Sequence, residues 1–217
     1  MISLPNGALV AIAATYGLPK AMSAISNANP GLASLEVGHA IAVGDIMEVT
    51  SGWSRLTDKV VKAGIPAVND IPLLGIDTTL TSIFPAAGGA GTIREVLTWT
   101  QLSQILTSTS SGGDQQFLEY QLLEADAKKR IPTFKNPSGI AFSIADDPLL
   151  PGYILASAAN DDRLPRAVKV TLPSGATIFY NAYISLNKTP SLTVNEIMAV
   201  QVTLSLLAEP VRYAPGA

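Results

Sequence analysis

Residues 198–206 alternate without a break. Met198, Val200, Val202, Leu204 and Leu206 fall on one side, and Ala199, Gln201, Thr203 and Ser205 on the other. A period of two is the signature of a β-strand with one buried and one open face. The open face here is small, hydroxylated and uncharged. Extended over residues 196–207, such a strand spans roughly 40 Å at about 3.3 Å per residue, close to twice the usual length. That length suits the wall of a tall barrel or tube, with the polar face toward a wet lumen or solvent. Just upstream, residues 168–172 and 177–186 read as a hairpin turning at Pro173-Ser174-Gly175.

Strand patterns continue toward the N-terminus. Residues 46–50 and the stretch "DKVVKAG" predict two strands, and residues 73–77 a third. Residues 92–102 predict a strand with Ile93, Glu95, Leu97 and Trp99 on one face. Residues 140–145 predict another, and residues 117–124 are read as a strand with Leu118, Tyr120 and Leu122 on one face. Two stretches read as loops: residues 78–91, which hold Pro85, Gly88, Gly89 and Gly91, and residues 107–113, which are Ser, Thr and Gly. One helix is predicted from Asp147 as N-cap and Pro148 as first residue, with Leu150, Ile154 and Ala158 on one face and Asn160 near its end. Residues 1–25 are Ala-rich, and periodicity leaves strand and helix both open. The whole reads as one mainly β domain over residues 1–217, with an N-terminal arm of about residues 1–30 and a C-terminal tail from about 208 to 217.

Charge narrows the function. Only 14% of the 217 residues are charged, the net charge is −3 and the mean hydropathy is +0.32. Soluble domains carry about 25% charged residues. The longest uncharged stretch, residues 1–19, is interrupted by Pro5, Asn6, Gly7, Thr15 and Gly17, which disqualifies it as a spanning helix. The composition therefore points to a subunit that hides much of its surface against copies of itself. A weakly acidic chain without a basic block argues against tight nucleic-acid binding. Cys is absent and there is one His, which removes disulfides, thiolate chemistry and His-rich metal sites.

The remaining candidate chemistry is thin. Asp146-Asp147 could bind metal or act as an acid, but its spacing fits a helix cap better. Lys128-Lys129-Arg130 could touch phosphate, though three charges more often mark a solvated turn. Gly88-Gly89-Ala90-Gly91 lacks the Lys-Ser/Thr of a phosphate loop. His39 has no nucleophile-elbow pattern beside it and reads as a surface residue. Trp53 and Trp99 could stack bases, but each sits on or beside an alternating strand, where core packing is the simpler role. No catalytic, cofactor or metal residue is assigned.

Several segments, in order, resemble one family. These are "VGDIMEVTSGWSRLTDKVV", "GTIREVLTWTQLSQIL" with "SGGDQQFLEYQLLE", "RIPTFKNPSGIAFSIADDP", "PGYILASAANDDRLPRAVKVTLPSGATIFYNAYIS" and "LTVNEIMAVQVTLSLLAEPVRY". Together they resemble the tail tube (major tail) proteins of long, non-contractile-tailed bacteriophages, which have the lambda-like tube fold. The resemblance implies a β-sandwich or barrel-like subunit with one short flanking helix and long loops. It implies six copies in a ring, rings stacked into a hollow tube that conducts DNA, no enzymatic activity and no cofactor. It further implies assembly in the host cytoplasm and contacts with the tape-measure protein, the tail terminator and the tail-tip or baseplate proteins. A type VI secretion-like tube ring is the neighbouring alternative. An OB-like nucleic-acid-binding module or a hydrolase using His39 are alternatives of other classes.

Within that picture a conduit must not hold its cargo, so a neutral-to-acidic lumen is expected. Glu119, Glu124 and Glu196 are the candidate lumen carboxylates. Ring stacking is expected from the termini and from the loop of residues 78–91, with Ala86, Ala87, Gly88 and Gly89 at its tip.

Overall fold

A computed structural model describes residues 6–216. In chain order the strands are β1 (Leu9–Tyr16), β2 (Lys20–Ile25), β3 (Gly31–Leu35), β4 (Ile46–Ser51), β5 (Lys59–Ala63), β6 (Asp70–Leu74), β7 (Gly91–Leu102) and β8 (Ile105–Ser111). They continue with β9 (Gln115–Tyr120), β10 (Lys129–Lys135), β11 (Gly139–Ala145), helix α1 (Pro151–Asp162), β12 (Arg166–Thr171), β13 (Thr177–Asn187), β14 (Ala199–Leu206) and β15 (Val211–Tyr213).

Six strands close on themselves. β2, β3, β6, β5, β4 and β7 pair in that order, and β7 returns to β2 through Lys20↔Ile93 and Met22↔Gly91. Closure removes the free edges that short strands would otherwise present. The interior holds Met22, Met47, Val49, Ile71, Leu73 and Ile93, all essentially inaccessible to solvent.

β7 is long enough to serve two structures. Its first half lies in the barrel, and its second half pairs with β1 to begin a curved sheet ordered β7, β1, β12, β13, β14, β11, β8. The β1–β7 register slips between Ala13 and Thr15 and again between Thr15 and Tyr16. Such irregularities turn side chains to new directions. Burial on β7 accordingly falls on Ile93, Val96 and Leu102, while Leu97 is exposed, so the expected single face of Ile93, Glu95, Leu97 and Trp99 does not form. Helix α1 packs on one side of the curved sheet. There Ala156 and Ala159 meet Val10, Ile12, Leu102, Phe142, Val168, Ile184, Val202 and their neighbours in a second core.

The two cores are tied at β15. Tyr213 packs edge-on against Phe179 at 5.7 Å. Its hydroxyl donates to the Leu74 carbonyl (2.8 Å) and accepts from the Lys62 N–H (2.8 Å). A second clasp lies where the end of β1 meets the barrel. Arg94 makes a bidentate pair with the buried Glu48, and its guanidinium lies 4.1 Å from the Tyr16 ring centre.

The mainly β class with one short helix and long loops is borne out, and so is the β12–β13 hairpin, whose register begins at Thr171↔Thr177. Four expectations are corrected. The helix starts at Pro151, with Leu150 as N-cap at φ −71°, ψ 136°; a residue before proline is pushed out of the helical region, so the helix cannot run from Pro148 through Pro151. Its buried residues are Gly152, Ala156 and Ala159 rather than Leu150, Ile154 and Ala158. β14 has 8 residues, because the Ser191 N–H bonds to the carbonyl of its first residue, Ala199, and leaves residues 192–198 as a loop. Of residues 107–113, expected as a loop, 107–111 belong to strand β8, paired along β11 from Gly139↔Ser111 to Ser143↔Thr107. The ambiguous N-terminal segment supplies β1 and β2, and its first five residues lie outside those described.

β9 and β10 stand apart. They pair only with each other, as a two-stranded ribbon continuing the β8–β11 hairpin beyond Gly112. Gly112 has φ +74°, and a Cβ there would meet the Pro137 carbonyl at 2.0 Å, so only glycine can make this bend.

Candidate functional site

Four strands of the curved sheet present a continuous polar surface on the side away from α1. The register builds it row by row. Ser111, Gly139, Ser205 and Tyr183 lie side by side; below them come Thr109, Ala141, Thr203 and Ser185; below those, Thr107, Ser143, Gln201 and Asn187. No member of these three rows carries a charge. The alternate residues, Phe142, Ile144, Val200, Val202, Leu204, Ile184 and Leu186, are buried beneath them. The alternation of β14 thus extends across its neighbours as one wall of hydroxyl, amide and methyl groups. At the bottom row, Asn187 and Gln201 adjoin the loop of residues 188–198, and a shallow hollow runs between Thr189, Ser191 and Thr107.

Surfaces with charge lie elsewhere. On the ribbon, Arg130 pairs with Glu119, and Glu124 sits in the turn. Glu196 lies in the loop bordering the wall, with its N–H bonded to the Thr193 carbonyl at 3.2 Å. The three carboxylates are therefore not one cluster. Lys169, on the face packed against the barrel, lies 4.8 Å from the Trp99 ring centre, and burial pulls its pKa down.

The other candidates resolve into structure. Asp147 does not cap α1; its carboxylate accepts from the Leu149 N–H in a turn before the helix. His39 is buried rather than on the surface. Its Nδ1 accepts from the Ile41 N–H (3.0 Å), which leaves Nε2–H to donate to the Val68 carbonyl (3.1 Å). Trp53 is core, donating Nε1–H to the Pro85 carbonyl. Trp99 packs against the same core from its edge.

The loop of residues 78–91 is strapped to the barrel end. Asn27 donates to the carbonyls of Thr78 and Phe84, and the buried Thr78 hydroxyl bonds back to the Ser26 carbonyl at 2.7 Å. At its tip Ala86, Ala87 and Gly88 are exposed, whereas Gly89 lies against the Trp53 ring. Among the described residues no group of three His, Cys, Asp or Glu side chains is placed to hold a metal ion.

Sequence reasoning found Thr203 and Ser205 but missed Thr107, Thr109 and Ser111, which a Ser/Thr/Gly composition disguised as loop. The available signal was the period-two placement of Thr107 and Thr109, since β-branched residues favour strands.

A protein-family model described as phage tail tube protein (TTP) matches residues 51–215. No curated protein matches the chain.

Proposed function

Because the chain belongs to the phage tail tube protein family, a structural and non-enzymatic component of the virion tail, we propose that six copies form each ring of the tube. Their uncharged walls would join into one inner barrel through which DNA passes. The observation that carries this reading is the four-strand face without a charge. Four strands from each of six copies make a barrel of 24. At about 4.8 Å between strands and a tilt near 40°, it closes at roughly 45–50 Å across the backbone, room enough for a hydrated duplex. A wall of hydroxyls and amides offers water-mediated contacts that exchange easily. A lysine-rich wall would neutralise phosphates, release counterions and hold the duplex in place. The outer edge of β8, unpaired among the described residues, supports the same reading, because an open edge is a template for pairing with another copy.

In this arrangement Glu196 borders the lumen at the bottom row, while Glu119 and Glu124 travel with the ribbon, away from the wall. The exposed tip of Ala86, Ala87 and Gly88, with Gly89 anchored behind it, would meet a neighbouring ring. The tape-measure protein would occupy the lumen before DNA does. The terminator and tail-tip proteins would meet the two end rings.

The test introduces charge on the wall alone. Thr109→Lys and Thr203→Lys together should leave ring and tube assembly intact, because Thr109 is exposed, Thr203 is half-buried, and neither belongs to the apolar core. DNA delivery by virions built from the variant should fall at least tenfold. Normal delivery through intact tubes would show that this face does not line the channel.

A further inference from the structure

The ribbon carries an exposed apolar pair on each face, beside the Arg130–Glu119 ion pair. Leu118 stands opposite Ile131 on one face, and Phe117 opposite Pro132 on the other. Leu123 in its turn is fully exposed. A lone two-stranded hairpin is marginal in water, and among the described residues no other strand pairs with it. The ribbon leaves the body beside one end of the barrel, where its base and the residues Arg55, Lys59, Leu80 and Phe84 enclose a cleft of about 790 Å³. Lys135 at that base pairs with Glu209.

The opposite end of the barrel has the complementary character. It is ringed by the loops at residues 17–19, 36–45 and 64–69. These are held together by the bonds Gly17 N–H to Glu95 carbonyl, Gly44 N–H to Ala63 carbonyl and His39 to Val68 carbonyl. Leu18, Val37, Val43, Ile65 and Val68 project from them, each more than 60% exposed. Large aliphatics exposed together on the loops at one end of a barrel are candidates for an interaction surface. The charges match as well. Asp45 and Glu95 lie near each other at this end, with Lys20 beside them; burial, and next the Asp45 carboxylate, raise the Glu95 pKa, and Lys20 lowers it. On the ribbon, Lys128 and Lys129 belong to none of the ion pairs among the described residues.

We propose that the ribbon of one copy docks on this aliphatic rim of a copy in the next ring, with Lys128 and Lys129 beside Asp45 and Glu95. The contact is head-to-tail: each copy offers its ribbon at one end and its rim at the other, so the association repeats without closing and builds length. The inference rests on the tube reading and goes beyond it by assigning the two surfaces and their partner, a second copy of this chain.

The absence of Cys allows a clean test. Leu123→Cys and Val37→Cys variants are purified separately, mixed, assembled and treated with a short bis-maleimide. The mixture should yield covalent dimers, and each variant assembled alone should yield none. In parallel, Leu118→Ser with Ile131→Ser should raise the protein concentration needed for tube growth at least tenfold without lowering the melting temperature. Tubes without ribbon-to-rim cross-links, cross-links within either single variant, or unchanged growth of the double-Ser variant would overturn this docking and leave the tube reading standing. Failure of the unsubstituted chain to polymerise under any condition would overturn both.

Discussion

Tyr213 shows how single residues join the two halves of this molecule. Its hydroxyl bridges β5 and β6 from a strand paired to β13. Burial, only partly offset by the bond from the Lys62 N–H, pushes its pKa from 10.0 to about 12. The folded state therefore retains a proton that the unfolded chain loses. The associated stability is fully present below pH 10 and is lost as pH rises toward 12, on the order of 2–3 kcal/mol in all. Burial raises the Tyr16 pKa as well, so part of the alkaline loss belongs to that residue. Tyr213→Phe should cost about 1–3 kcal/mol at pH 8, because the Lys62 N–H and Leu74 carbonyl lose their partner. It should also flatten the decline between pH 10 and 12. Urea unfolding at pH 8 and at pH 11 measures both effects, and an undiminished alkaline decline in the variant would assign it to other groups.

At the scale of elements, α1 is held by closeness rather than by apolar bulk. A Cβ on Gly152 would lie 2.5 Å from the Gln101 carbonyl oxygen and 3.0 Å from the Leu102 Cα. Those are backbone atoms of β7, where the barrel and the curved sheet share a strand, and they cannot swing aside. Gly152→Ala should destabilise the fold by about 1–3 kcal/mol, although alanine is the better helix former. Thermal melting checks the sign, and a stabilised variant would mean that the helix can lift off the sheet. This packing also explains what the sequence revealed and what it hid. The β12–β13 hairpin was legible because Pro173-Ser174-Gly175 separates two alternating runs. The face of β7 was not, since the register slip opposite Thr15 depends on β1, some eighty residues away. β8 was hidden because its pairing with β11 closes around a ribbon of more than twenty residues. For the wall, β14 supplied three of its residues directly, Gln201, Thr203 and Ser205; the rest follow only from the register of β8, β11 and β13.

Taken whole, the molecule is a closed barrel fused through β7 to a curved sheet. One side of the sheet is sealed by α1, and the other, across β8, β11, β14 and the end of β13, is open and uncharged. The low charge that first suggested self-association is distributed accordingly: little of it is on the wall, and aliphatics gather on the ribbon and the rim. A monomer with these surfaces exposes three features that water tolerates poorly: an open strand edge, a two-faced apolar ribbon and an aliphatic rim. Ring closure would cover the first and stacking the other two. Electron cryo-microscopy of the purified chain, concentrated until it polymerises, tests this most directly. The expected result is a hollow tube of stacked six-membered rings whose inner surface is formed by β8, β11, β14 and the end of β13, with Thr109 and Thr203 facing the channel. A solid filament, or a tube with that face turned outward, would contradict it.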